Sequence, residues 1–361
     1  MKILHVETGR HLYGGPQQVL YLCEGLANRG VDNLLVCPPG SGVDEAARAL
    51  AIPVINLTCA GDLDMRFAWK LRQLLTEQKP DIVHCHSRRG GDFLGGQAAA
   101  MAGIPAVLSR RVDNTEAGFM SSLRYRPFRR VVAISEAIAE VLGNAGLGRD
   151  RMVVIRSAVD VDRFAAKPND EAFRRLFQVG PDNFVIASAA QFIARKGQRY
   201  LLRAIAELRL RYPQLKLVLF GKGPLENELR ALSAELGLAN VVQFAGFRHD
   251  LDDYLGCFDV LAHPALREGL GVIALKAAAA AVPVVGFRAG GLSEVVIHQK
   301  TGLLVPAGDV QQLADAIGSL IDDSDLRREY GRMASQHMHD NFSVNRMVEQ
   351  HVTMYESILN V

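Results

Sequence analysis

Short apolar runs alternate with longer amphipathic stretches along most of the chain, and this alternation constrains the fold more than any other feature. The run "KILHVE" is followed by "GGPQQVLYLCEGLANRG", a glycine turn that opens a helix. Further apolar runs are "DNLLVCPP", "PVINL", "DIVHCH", "PAVLSRR", "RRVVAIS" and "RMVVIRS". Apolar strands separated by helices are typical of a parallel sheet that is covered on both faces.

The alternation then begins again. A second series runs from "NFVIASAAQF" through "LKLVLFG", "VVQFAG", "DVLAHP", "VPVVGF" and "TGLLVPA". The sequence therefore predicts an α/β protein with two doubly wound Rossmann-like domains, residues 1–165 and 170–342, joined at the polar stretch "VDRFAAKPNDEAF". We expect a ligand site in a cleft between the domains, because open parallel sheets bind ligands at the carboxyl ends of their strands. A final helix, 343–361, is expected to cross back to the first domain.

Composition narrows the class of protein. The 361 residues carry a formal net charge of only +2, which does not indicate a nucleic-acid-binding protein. Five scattered cysteines are typical of reduced thiols in the cytoplasm, not of a disulfide framework. The opening "MKILHVETG" predicts a strand and not a signal peptide, and no apolar run reaches the length of a membrane span.

Glu268 stands directly before Gly269, Leu270 and Gly271, where a loop meets the helix-forming stretch "GVIALKAAAA". The backbone N–H groups at such a helix start are unpaired and can bind phosphate or another anion. The alternative is a glutamate that only caps the helix. The same order of strand, glycine turn and helix occurs at Gly14 and Gly15, and again in "GFRAGGLSEVV". Three such turns suggest a ligand that carries phosphate.

Two cations follow the first strand of the second domain. Arg195 and Lys196 lie in "FIARKGQRYLL", where a lysine can meet a diphosphate as a mobile point charge. The alternative is a solvated basic turn.

His84 and His86 lie two residues apart at the end of a strand, so their side chains share a face. A His-x-His pair can bind zinc, but no third ligand stands at a suitable spacing, and we predict no metal. His86 is placed to touch a substrate, whereas His84 can equally be a structural histidine.

Arginines alternate with aromatic side chains in "SRRVDNTEAGFMSSLRYRPFRR". Such a segment can hold a protein on an anionic membrane or bind a phosphorylated acceptor, and the alternative is a solvated basic face. The arginines of this predicted patch are Arg110, Arg111, Arg124, Arg126, Arg129 and Arg130, and Phe119 is among its aromatic residues.

The stretch "REGLGVIALKAAAAAVPVVGFRAGGLSEVVIHQKTGLLVPAGD" resembles the signature region of the family 4 glycosyltransferases, which have the GT-B fold. Supporting segments follow in the family's order along nearly the whole chain, among them "DIVHCHSRRGG", "VVAISEAI", "ARKGQRYLLRAIAEL" and "LVLFGKGPLENELRAL". The resemblance implies transfer of a sugar from a nucleotide donor with retention at the anomeric carbon and without a metal. It implies that the donor is bound mainly by the second domain and the acceptor mainly by the first.

The resemblance also implies roles for particular residues. Glu268 matches the first glutamate of the family's E-x7-E motif, which contacts the donor sugar, and His86 matches a histidine near the transferred sugar. Lys196 matches the diphosphate lysine, and Gly15 matches a turn that approaches the phosphates. The nucleobase would pack near Gly246, Phe247 and Arg248.

Two positions depart from the family's pattern. Lys276 occupies the position of the second glutamate, which binds the ribose hydroxyls in the family, and Gln191 occupies the position of an arginine. Lys276 could supply the charge that Gln191 lacks, or the donor site could be altered or lost. We favour a working but atypical donor site, because Glu268, Lys196 and the glycine turns remain.

The sequence thus predicts a metal-independent, retaining glycosyltransferase without a cofactor. It would use a nucleotide-diphosphate sugar and would act in assembling a bacterial envelope glycan or glycolipid of the lipopolysaccharide type. It would be cytoplasmic, with peripheral contact at the inner face of the inner membrane. The alternatives are a non-catalytic nucleotide-sugar-binding relic and a nucleotide-sugar epimerase. The lack of a G-x-G-x-x-G motif argues against a dinucleotide oxidoreductase.

Overall fold

A computed structural model describes residues 1–86, 90–114, 123–165 and 170–360. The chain divides into two compact units. The first unit comprises Met1–Ala158 and Val344–Val361, and the second comprises Val159–Ser343. The first unit ends ahead of the predicted boundary at residue 165, because the helix Val161–Ala165 belongs to the second unit.

The first unit is built on a 7-stranded parallel sheet with the strand order β3-β2-β1-β4-β5-β6-β7. Its strands are β1 Lys2–Val6, β2 Asp32–Cys37, β3 Val54–Asn56, β4 Ile82–Cys85, β5 Ala106–Arg110, β6 Phe128–Ala133 and β7 Met152–Val154. Its helices are α1 Gly14–Ala27, α2 Gly42–Ala49, α3 Met65–Gln78, α4 Gly91–Ala102, α5 Glu136–Asn144 and the final helix Val344–Leu359.

The final helix packs closely on α1. A Cβ atom at Gly25 of α1 would lie only 2.5 Å from Val348 Cγ2, so glycine is needed where the two helices meet. Val348 and Tyr355 of the final helix are fully buried together with Ile3 of β1 and Leu22 of α1. The apolar face of the last sequence segment therefore completes one side of the core of the first unit.

The second unit contains a 6-stranded parallel sheet with the order β10-β9-β8-β11-β12-β13. Its strands are β8 Phe184–Ala189, β9 Leu215–Phe220, β10 Val242–Gly246, β11 Val260–His263, β12 Val284–Phe287 and β13 Gly302–Val305. Its helices are α6 Val161–Ala165, α7 Asp170–Phe177, α8 Gln198–Arg211, α9 Glu226–Glu235, α10 Val272–Ala279, α11 Leu292–Val295, α12 Val310–Asp322 and α13 Ser324–Phe342. The central strands β8 and β11 are buried almost throughout, as expected for a sheet that is covered on both faces.

The stretch that we expected to be a polar linker is largely helical. Helices α6 and α7 flank residues 166–169, which lie outside the described residues. Phe173 and Phe177 of α7 are buried, and the Phe173 ring meets the Phe258 ring edge-on with centroids 5.0 Å apart. These aromatic side chains anchor the segment to the second unit, and the polar residues between them concealed this in the sequence.

In the described residues no helix combines the length and the apolar character needed to span a membrane.

Candidate active site

Three loops of the second unit meet at the carboxyl ends of β8, β11 and β12, which are neighbours in the sheet. The backbone N–H of Leu266 donates to the Arg195 carbonyl at 2.8 Å, which ties the loop after β11 to the loop after β8. A Cβ atom at Gly197 would lie 1.9 Å from the Pro264 carbonyl oxygen. The glycine after Lys196 therefore allows the two backbones to touch.

The loop after β12 packs against the same place. A Cβ atom at Gly290 would lie 2.0 Å from the Glu268 carbonyl oxygen. A Cβ atom at Gly291 would lie 2.2 Å from the Gly269 carbonyl oxygen. The Gly291 N–H donates to the Glu268 carbonyl at 3.1 Å. This glycine pair supports the Glu268 loop, and the helix that follows, α11, is a single short turn. The expected contact of the pair with a phosphate stays a prediction.

Glu268 is the centre of this arrangement. Its Oε2 atom accepts hydrogen bonds from Lys196 Nζ at 2.6 Å and from His263 Nε2 at 2.7 Å. Its Oε1 atom accepts from the N–H of Gly269 at 3.1 Å. Both ion-paired side chains are largely buried, with exposed fractions of 13% for Lys196 and 12% for Glu268.

The electrostatics of the cluster keep Glu268 ionised. Burial by itself raises the pKa of this carboxyl group, but the hydrogen bond and charge of His263, together with the ammonium of Lys196, outweigh burial and hold the pKa well below its usual range. The ammonium and the helix start can bind an anionic group of a ligand, and the buried carboxylate beside them can accept hydrogen bonds from its polar groups.

The start of helix α10 lies beside Glu268. Gly271 has φ +95° and caps α10, and the first turn of α10 has no acidic residue. No side-chain hydrogen bond caps this start within the part of the chain that the structure describes. Leu270 is buried and fixes the loop in the core. The positive end of the α10 dipole is therefore next to the Glu268–Lys196 pair.

Lys276 meets a carboxylate inside the unit. Its Nζ atom donates to both side-chain oxygens of Asp252, at 2.9 and 2.7 Å. Asp252 lies in the 3₁₀ turn Leu251–Cys257, and Arg163 reaches to within 3.8 Å of the same carboxylate. The charge of Lys276 is thus neutralised locally, and its contact with a diphosphate stays a prediction.

The other donor-side residues that the resemblance indicated lie on the loop after β8 and at or just after the end of β10. Gln191 and Arg195 are exposed on the loop after β8. Gly246 ends β10 with φ +70°, and the Phe247 ring is 43% exposed with Lys222 Nζ 5.6 Å from its centroid. Arg248 pairs with Asp250, at 2.8 and 2.5 Å. An exposed aromatic ring beside a cation can receive a nucleobase, which stays a prediction here.

In the first unit, His86 belongs to a buried histidine cluster. The ring nitrogens His5 Nδ1 and His86 Nε2 lie 3.0 Å apart, and the His84 and His86 rings have centroids 3.9 Å apart. His84 contacts Tyr355 Oη through Nδ1 at 2.5 Å and Ser109 Oγ through Nε2 at 2.8 Å. Burial first, and neighbouring histidines second, lower the pKa of both His84 and His86 well below the usual value.

His5 is the third imidazole that the sequence spacing did not show, because it lies on β1, the neighbour of β4. One ring nitrogen from each of His5, His84 and His86 lies within 4.8 Å of the others, close enough to hold a metal ion. However, both nitrogens of His84 already have polar partners, and the guanidinium of Arg111 acts electrostatically on His84 and His86. The arrangement favours a hydrogen-bonded network of neutral imidazoles, and metal independence stays a prediction.

Gly14 and Gly15 begin α1, and among the described residues no side-chain hydrogen bond caps its start. A Cβ atom at Gly15 would lie 3.4 Å from Arg111 Cδ, so the arginine side chain lies directly beside this helix start. Burial lowers the pKa of Arg111 to about 10, while the Glu7 carboxylate acts in the opposite direction. The helix start and a guanidinium thus lie together within the first unit.

The six arginines that we expected to form one basic patch do not form one surface. Arg110 is buried and donates to the Asn114 carbonyl at 2.8 Å, and Arg111 points toward Ser157. Arg124 donates to the buried Asp92 at 2.6 Å. These three side chains are turned inward by polar partners, and Phe119 lies outside the described residues.

The other three arginines line a groove. Arg126, Arg129 and Arg130 surround a space of 820 Å³ together with Arg151, and Leu123 contributes an apolar edge. The lining residues Ile104 and Pro105 directly precede β5, and Asp150 and Arg151 directly precede β7, so the groove lies at the amino ends of the strands. It therefore lies on the edge of the sheet opposite to the carboxyl ends.

Comparisons with known proteins agree with this architecture. Residues 13–163 match the family described as Glycosyltransferase Family 4, and residues 169–337 match Glycosyl transferases group 1. The chain therefore belongs to the glycosyltransferases that combine these two regions, Glycosyltransferase Family 4 and Glycosyl transferases group 1. The expected α/β fold with two parallel sheets, of the GT-B type, is confirmed.

Three similar proteins illustrate the relationship. The lipopolysaccharide core biosynthesis glycosyltransferase LpsD of Rhizobium meliloti is 26% identical over 99% of this chain and 98% of its own length. The D-inositol 3-phosphate glycosyltransferase of Pseudarthrobacter chlorophenolicus is 30% identical over 74% of this chain and 68% of its own length. The crystal structure of Anabaena HepE in complex with UDP-glucose has a TM-score of 0.88 at 24% identity, over 99% of this chain and all of that one.

Besides His5 in the first unit, sequence reasoning missed two residues of the site in the second unit. His263 is the last residue of an apolar strand, and a polar residue at a strand's carboxyl end is a signal that could have indicated it. Asp252 stands in "HDLDDYLG" among other acidic residues, and nothing in that segment distinguishes it.

Proposed function

We propose that this chain is a retaining, metal-independent glycosyltransferase that moves a sugar from a nucleotide-diphosphate donor to an envelope glycan or glycolipid. The observation that carries the proposal is the Lys196–Glu268–His263 cluster beside the start of α10. A carboxylate suited to sugar hydroxyls and an ammonium suited to phosphate lie side by side at the carboxyl ends of neighbouring strands.

In this proposal Lys196 exchanges partners when the donor binds. Its ammonium leaves Glu268 Oε2 for the diphosphate, where the N–H groups at the α10 start also point. These fixed donors stabilise the negative charge that develops as the bond between the sugar and the phosphate breaks. The new bond forms to an acceptor hydroxyl, whose proton leaves with the departing phosphate.

The acceptor side rests on the relatives and on the groove of the first unit. LpsD is named for lipopolysaccharide core biosynthesis, and this supports an envelope glycan as acceptor. Arg126, Arg129 and Arg130 in the groove support peripheral contact with an anionic membrane at the cytoplasmic face. Flotation with phosphatidylglycerol vesicles tests the contact: the Arg126→Glu/Arg129→Glu variant should lose binding, and the exposed Arg72→Glu control should keep it.

A panel of nucleotide sugars tests the central proposal, with UDP-glucose as the first probe because HepE was solved with it. Thermal shift identifies the donor, since a ligand stabilises the fold that it binds. Transfer in the presence of EDTA, with the anomeric configuration of the product determined by NMR, then tests metal independence and retention. Binding without any transfer or donor hydrolysis would indicate the non-catalytic relic, and conversion of the donor without an acceptor would indicate an epimerase.

Glu268→Gln should lower turnover by about two orders of magnitude or more, because the carboxylate contacts the reacting sugar. UDP binding should remain or become tighter, since the variant frees Lys196 from its ion pair. Glu228→Gln on the exposed face of α9 is the matched control. Wild-type turnover in Glu268→Gln would remove this residue from the reaction.

A further inference from the structure

Two side chains donate to the same oxygen of Glu268, and they differ in mobility. Lys196 belongs to the short 3₁₀ turn Ala194–Lys196 and reaches Glu268 with a long, flexible side chain. In the proposed function this ammonium turns to the donor diphosphate. Among the described residues, the contacts that Glu268 then keeps include the side-chain donor His263 and the N–H of Gly269.

His263 is fixed where Lys196 is not. It is the last residue of β11, pairs in register with Gly286 of β12, and is only 3% exposed. A Cβ atom at Gly286 would lie 2.5 Å from the His263 carbonyl oxygen, so the two backbones are in direct contact. Because the carboxylate of Glu268 only accepts hydrogen bonds, Nε2 of His263 must carry the proton.

We propose that His263 is a positioning residue whose Nε2–H holds the Glu268 carboxylate in place when Lys196 turns to the donor diphosphate. This inference rests on the proposed function of the site. His263 itself touches neither substrate nor reacting atoms in the proposal, and it acts through Glu268.

The charges around Glu268 give the proposal a pH signature. Lys196 from the loop after β8 and His263 from β11 are the side chains that lower its pKa, whereas burial raises it. The turn at Gly290 and Gly291, which packs against its backbone, contributes no side-chain charge. Removal of the His263 donor should therefore raise the pKa of Glu268, most strongly when Lys196 has moved away.

Two substitutions separate the hydrogen bond from the shape of the ring. His263→Gln keeps an N–H donor of similar reach, and His263→Phe keeps a ring without a donor. His339→Phe on the exposed face of α13 is the control. With UDP-glucose as the probe and UDP release as the signal, kcat and KM are measured from pH 5 to 9 on the full chain, and tryptophan fluorescence confirms at each pH that the chain is folded.

His263→Phe should lower kcat at least tenfold, leave the donor KM within about twofold and move the acid limb of the kcat profile to higher pH. His263→Gln should restore most of kcat and bring the acid limb part of the way back toward the wild-type position, because glutamine replaces the hydrogen bond of His263 but not its charge. A wild-type kcat and pH profile in His263→Phe would overturn the proposal. An equal loss of kcat in the two variants, with unchanged melting temperatures, would also overturn the proposal, because the missing hydrogen-bond donor would then not be the cause of the loss.

A measurement that needs no turnover keeps the test independent of which nucleotide sugar the chain uses. ¹³C-labelled glutamate side chains, assigned with Glu268→Gln, report the titration of the Glu268 carboxyl group by NMR. Its midpoint should rise in His263→Phe, and an unchanged midpoint would overturn the positioning role. If the midpoint rises but the wild-type chain turns over no nucleotide sugar, the proposed function fails and the role of His263 toward Glu268 stands.

Discussion

Acidification from pH 7 to pH 5 should strongly destabilise the first unit, because its core holds a cluster of neutral histidines. Burial lowers the pKa of His5 to about 3 and that of His351 to about 4, and it lowers those of His84 and His86 well below the usual value. Each pKa is lower in the folded state than in the unfolded state. The unfolded chain therefore binds more protons below about pH 6.5, and stability falls as the pH falls.

The magnitude follows from linkage. A histidine that titrates near pH 6.5 when unfolded and stays neutral when folded removes about 2 kcal/mol of stability between pH 7 and pH 5. His5 and His351 together give about 4 kcal/mol, a large part of the unfolding free energy of a typical domain, and His84 and His86 act in the same direction. His351 is the simplest to test, since its Nδ1 donates to the Met347 carbonyl at 2.8 Å and its Nε2 is buried without a partner in the described chain.

Urea unfolding followed by tryptophan fluorescence provides the assay, because the single tryptophan, Trp69, lies in α3 of the first unit. Between pH 7 and pH 5, the free energy of unfolding of His351→Phe should fall by about 2 kcal/mol less than that of the wild type. His11→Phe, at an exposed position of the same unit, should follow the wild type. Parallel pH dependences of wild type and His351→Phe would refute the reasoning, because His351 would then bind its proton in the folded state.

Two further predictions concern the second unit. Gly290→Ala places a Cβ atom 2.0 Å from the Glu268 carbonyl oxygen, so the loop must shift. Turnover should fall in activity assays, whereas the melting temperature in thermal melts should drop by only a few degrees. Lys276→Met leaves the carboxylate of Asp252, 17% exposed, without its bidentate partner and should destabilise the unit by about 1–3 kcal/mol. Asp252→Asn in the same chain should recover part of that loss in a double-mutant cycle, and strictly additive losses would exclude the coupling.

The fold was predictable because its signal is local and repeated. Runs such as "DIVHC" and "VPVVGF" are continuously apolar, which is typical of strands in a sheet buried on both faces. The meeting of Lys196 with Glu268, 72 residues apart in sequence, was also within reach. Both follow strands of one parallel sheet, and the carboxyl ends of such strands share an edge.

The contacts that the sequence did not predict depend on where individual side chains point. His263 meets Glu268 only because β11 ends one residue before Pro264 and the loop folds back on it. Arg124 belongs to an arginine-rich segment, yet it turns inward because Asp92, on α4, is buried and needs a partner. Composition reports the charge of a segment, whereas the packing of a distant helix decides which of its charges remain exposed.

The Lys196–Glu268 ion pair also sets how the site responds to an anion. A diphosphate that approaches Lys196 competes with a carboxylate 2.6 Å away, and it also meets the negative charge of Glu268 itself. Both effects oppose binding of a bare nucleotide diphosphate, whereas the hydroxyls of a complete nucleotide sugar can donate to Glu268 and compensate for the ammonium that it loses. If this exchange operates, removing the carboxylate should reduce the preference of the site for nucleotide sugar over nucleotide diphosphate. Titration calorimetry of UDP and UDP-glucose with the wild type and Glu268→Gln measures that preference, and an unchanged ratio of the two affinities would show that Lys196 and Glu268 do not compete.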